Sequence, residues 1–134
     1  MRTLQVILLL LVCSVLVGCN SHNNQVNAFQ TEVKKTIDPR VLQNWAMMVA
    51  STNAIGTEIP GSELPTFLRL TNTLTSVDVS GFSYTKSKLV FLSCGSGFRH
   101  WGLIVGDTNF VARDQSNLKL SLWRPGIYFY AETK

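Results

Sequence analysis

The spacing of apolar residues changes at Leu74, and this change constrains the fold of the 134-residue chain more than any other feature. Before it, apolar side chains recur every three to four positions. Ala28, Phe29, Val33 and Ile37 form one series, and Val41, Leu42, Trp45, Met48 and Val49 form a second. That is the period of a helix with one covered face. After Leu74 the period falls to two. Val77 and Val79 flank Asp78, and Leu118, Leu120 and Leu122 alternate with Lys119, Ser121 and Trp123, as half-buried strands require. Helices followed by short strands define an α+β domain, with N-terminal helices packed on one face of a small antiparallel sheet of C-terminal strands.

Local signals set the element boundaries. Asp38 accepts hydrogen bonds from a first helical turn and Pro39 suits the first helical position, so the main helix is expected to start there. Ile37 and Leu42 stand at the positions of a hydrophobic staple. Ser51-Thr52-Asn53 and Gly56 end that helix, and Ser62 is expected to cap a second one reaching Leu70. Lys88–Cys94 and Phe98–Val105 are apolar runs separated by Gly95-Ser96-Gly97, a hairpin signal. Arg124-Pro125-Gly126 turns the chain into a last strand, Ile127–Tyr130.

The N-terminus follows a different logic. Arg2 precedes an apolar run from Leu4 to Val17 broken only by Gln5 and Ser14, and polar residues follow at once. This is the pattern of a secretory signal. The run is shorter than the roughly 20 residues that span a bilayer. Residues 20–27, with four Asn and Val26 as the one apolar residue, are expected to form a flexible tether with an r.m.s. span of about 15 Å.

Leu16-Val17-Gly18-Cys19, at the end of that leader, resembles the lipobox of bacterial membrane lipoproteins. The resemblance implies a signal peptide over 1–18 and a lipidated Cys19 that begins the mature chain. The polar tether then completes 19–27, and 28–134 forms a single α+β domain. Membership implies a diacylglycerol on the Cys19 sulfur and an acyl group, typically palmitate, on its new amine. Several chains anchor far more durably than one. Asn20, rather than Asp, follows the cysteine. In hosts with two membranes this implies the outer membrane facing the periplasm, and otherwise the outer face of the cytoplasmic membrane.

Cys13 leaves with the leader and Cys19 is consumed by lipid, so Cys94 stands alone in the mature domain and an internal disulfide is excluded under this reading. With His100, Cys94 forms the one catalytic constellation the sequence offers, a thiol and a proton acceptor. A two-residue Ser96-Gly97 loop sets Cys94 opposite Arg99 and points Cys94 and His100 to opposite faces. A three-residue Gly95–Gly97 loop puts them on one face. Gly-Ser-Gly between two strands lacks the following helix that would cradle a phosphate. No metal or cofactor is expected, since His100 is the one histidine of residues 28–134. Glu58 and Glu63 are expected to be solvated, and Arg113-Asp114 to lie in a polar turn.

Candidate binding residues are aromatic and arginine side chains: Arg99, Trp101, Trp123, Arg124, Tyr128 and Tyr130. Of these, Trp123, Tyr128 and Tyr130 with Arg124 suit either an exposed amphipathic patch for a protein or glycan partner or, as half-buried strands favour, one face of the last strands packed beneath the helices. A net charge of +4 without a basic cluster gives no footprint for nucleic acid. Ile59-Pro60, Leu64-Pro65 and Gly95–Gly102 together resemble small uncharacterised bacterial domains with a "GF-x-H-aromatic-G" strand, a resemblance that implies no activity. Ser96-Gly97 is also similar to the loop of envelope lipoproteins that inhibit lysozyme. The expected function is therefore a lipid-anchored, non-catalytic binding or envelope-structural module. Its alternatives are a small thiol enzyme using Cys94 and His100, or an inhibitor of a lysozyme-like hydrolase.

Overall fold

The computed structural model describes residues 21–69, 73–95, 97 and 99–133. Residues 1–20, on which the expected signal peptide and Cys19 fall, lie outside the described residues. Helix α1 covers residues 21–36 and α2 covers Pro39–Thr52. A 3-10 turn at Gly61–Glu63 and a one-turn helix α3, Thr66–Arg69, follow. The strands are β1 Leu74–Ser80, β2 Leu89–Cys94, β3 Trp101–Val105, β4 Leu118–Arg124 and β5 Ile127–Glu132. They form one antiparallel sheet in the order β1-β2-β3-β5-β4. The protein is thus a small α+β domain.

Helices cover one sheet face. Phe29, Val33, Ile37, Leu42, Ala46 and Val49 from α1, α2 and the link between them pack on Val77, Val79, Val90, Leu92, Leu103 and Phe129 from the sheet. Asp38 joins the helices as expected: its carboxylate accepts from Arg40 N at 2.8 Å and Val41 N at 3.3 Å, with Pro39 starting α2. Val41 and Met48, placed by periodicity on the covered stripe, are instead exposed. Ala46 and Ala50 take the inner positions, because α2 rests its small residues on the sheet.

Three expectations are corrected. Residues 21–27 are not a free tether but the first turns of α1. Val26 packs against the core one turn before Phe29, and this burial outweighs the low helix propensity of asparagine. The helix expected from Ser62 to Leu70 is split at Leu64-Pro65. Leu64 is extended (φ −70°, ψ 138°), as a residue preceding proline prefers to be. The hairpin loop holds neither two nor three residues. Cys94 pairs with Trp101 and Ser93 with Gly102, which leaves the six residues 95–100 as the connection.

The opposite sheet face carries a second apolar cluster. Leu89, Ile104, Phe110 and Tyr130 are its buried members, with Phe82, Phe91 and Tyr128 packed around them. The loop after β1 and the loop after β3 supply Phe82 and Phe110, whose rings stack at 6.3 Å. The sheet is therefore covered by helices on one side and by aromatic loops on the other.

Candidate functional site

The β2–β3 hairpin separates the two residues of the proposed thiol pair. Cys94 points into the helix-side core, fully buried, opposite Trp101. Its thiol makes a long 4.0 Å contact to Thr73 Oγ1, and burial pushes its pKa up to about 11. A thiol kept protonated at neutral pH is a poor nucleophile. His100 lies in the loop, where Nε2 donates to Gly97 O at 3.0 Å and its backbone N–H donates to Glu132 Oε2 at 3.0 Å. Glu132 N returns a bond to His100 O at 2.8 Å. The main chain of His100 thus ties the loop to β5, and its imidazole braces the loop itself.

What the hairpin does build is a groove beside α1. Gln25, Ala28, Phe29 and Glu32, at successive helical turns, form one wall. Thr73 and Thr75, at the start of β1, form the other, and Gly95 and Trp101 complete the groove. Its volume is about 550 Å³, within the range of about 300–1,000 Å³ typical of ligand sites. Glu32 is the one charged residue of this lining. Trp101 is 9% exposed, and its Nε1–H is a buried donor with no hydrogen-bond partner among the described residues. Leaving such a group unsatisfied costs about 1–3 kcal/mol. The His22 ring, in the first turn of α1, meets the Trp101 ring edge-on with centroids 5.4 Å apart.

Glycine makes this geometry possible. Gly95 has φ +90°, which side-chain-bearing residues rarely adopt. A Cβ there would also come within 2.7 Å of Trp101 Cζ3 and 2.6 Å of Arg99 O. The indole therefore lies where a side chain at 95 would stand.

The remaining candidates are dispersed rather than gathered into one patch. Trp123 packs on the helix side, 5.4 Å from the Phe129 ring. Tyr128 and Tyr130 belong to the opposite face. Arg99 is exposed in the hairpin loop. Arg124 is exposed at the other end of the sheet, lining a cleft with Arg40 and Asp38. Tyr130 Oη bonds Ser93 Oγ at 2.7 Å. Ser93 and Tyr130 each pair with Gly102, so this bond spans the central strand above a residue without a side chain. Burial raises the Tyr130 hydroxyl to about 12.

Sequence reasoning missed the groove, because its α1 wall falls partly in the segment assigned to the tether. The spacing of His22, Val26, Phe29 and Val33 was the available signal. Among the described residues no three His, Cys, Asp or Glu side chains gather as a metal site would need, and no helix is long and apolar enough to cross a membrane. No family model, curated protein or solved structure matches the chain.

Proposed function

We propose that the chain is a lipid-anchored envelope protein whose α+β domain serves as a non-catalytic binding or envelope-structural module. The order of Arg2, the apolar run and Leu16-Val17-Gly18-Cys19 carries this reading. The fold adds a physical consequence. Ser21 already belongs to α1, so two peptide units, at most about 7 Å of chain, join Cys19 to the folded body. The domain then rests on the bilayer instead of swinging from it. On this reading the hairpin loop, where Arg99 is exposed, turns toward the lipid headgroups, a placement supported by the packing of His22 beside Trp101. In a host with two membranes, Asn20 favours the outer membrane and a periplasmic orientation. Burial of Cys94 supports a binding role over thiol chemistry.

Intact-mass measurement of the protein extracted from membranes tests the anchor. The expected mature species begins at Cys19 and carries acyl chains, and Cys19→Ser releases the protein from the membrane fraction. A mature chain with a bare Cys19 thiol overturns the reading.

A further inference from the structure

We propose that the groove between α1 and the start of β1 holds one of the acyl chains attached to Cys19, so that the domain shelters part of its own anchor. This rests on the lipidation of Cys19 and adds the place where a chain is received. Reach is the first argument. Three peptide units separate Cys19 from His22, so their Cα atoms lie within about 11 Å of each other whatever path the backbone takes. His22 is in ring contact with Trp101, which lines the groove.

Chemistry is the second argument. Phe29, Ala28 and the Trp101 ring offer apolar surface. An acyl chain supplies the hydrocarbon tail that this surface complements. Charge distinguishes the source. Among the described residues the lining contains Glu32 and neither lysine nor arginine, so the carboxylate of a free fatty acid finds no cation there. The amide- or ester-linked chain of a lipidated cysteine is neutral and meets no such penalty.

The test uses the full-length chain made in cells fed a palmitate analogue that carries a photoactivatable diazirine. Intact mass first establishes acylation, and a bare Cys19 overturns the anchor and this proposal together. With acylation established, irradiation is expected to join the lipid to peptides containing Gln25–Glu32 or Trp101. Ala28→Trp and Thr75→Phe, at exposed positions of the groove wall, are expected to cut that intramolecular product several-fold without changing Tm. Crosslinks confined to phospholipid or detergent overturn the groove assignment while leaving the anchor intact. An unchanged yield in folded, groove-filled variants does the same.

Discussion

The Trp101 indole occupies the space that a side chain on Gly95 would need, with Cζ3 2.7 Å from where a Cβ would be. A single glycine thus fixes both the turn after β2 and the seat of the ring that opens β3. The neighbouring Gly97 also has positive φ, +75°, but a Cβ there meets nothing within 4 Å.

These two glycines give a matched pair of variants. Gly97→Ala is expected to cost about 1 kcal/mol from backbone strain alone. Gly95→Ala adds a collision in a packed region and is expected to cost at least about 2 kcal/mol. Urea denaturation midpoints measure the difference. Equal losses would show that Trp101 does not depend on Gly95.

The Asp38 cap is the second test. Two amides of the first turn of α2 bond its carboxylate, so Asp38→Ala is expected to cost about 1 kcal/mol, while Asp38→Asn retains most of the stability. An Asn variant as unstable as the Ala variant would contradict capping as the source.

Such local signals were legible in the sequence because they operate within one turn of chain. Asp38-Pro39 and the Leu118/Leu120 alternation needed no tertiary context, although Leu122, expected on the same face, is exposed. Hairpin register was different. Gly95-Ser96-Gly97 tolerates several loop lengths, and the choice is made by Trp101 settling opposite Cys94 in the core. The packing of the last strands depends on tertiary context in the same way. Strand parity and the irregularity between Leu122 and Arg124 put Trp123 on the helix side, while Tyr128 and Tyr130 face the other way. The early start of α1 was hidden because only Val26 interrupts its polar first turns.

The bond across β3 gives a third prediction. Tyr130→Phe leaves the half-buried Ser93 hydroxyl without its 2.7 Å partner, at an expected cost of about 1–2 kcal/mol. Ser93→Ala with Tyr130→Phe should lose less than the sum of the single changes, with a coupling of about 1 kcal/mol. Strict additivity would remove the bond from the account. Gly102→Ala should be worse than either single change, since its Cβ would run into the carbonyl of Leu92.

Cys94 makes stability depend on alkaline pH. Its ordinary value of 9.0 rises to about 11 in the fold because burial penalises the thiolate. Between those values the unfolded chain has released a proton that the folded chain keeps. The contribution is therefore fully present below pH 9 and is lost as pH rises towards 11, with a slope no steeper than about 1.4 kcal/mol per pH unit. Tyr130 continues the same trend from 10.0 to about 12. Cys94→Ala should flatten the lower part of this decline, whatever constant cost its smaller side chain adds at every pH. The same burial predicts that a small thiol reagent at pH 8 modifies Cys94 only as fast as the domain opens. Rapid reaction in the folded protein, or an unchanged alkaline slope in the alanine variant, would show that the thiol is not sealed in the core.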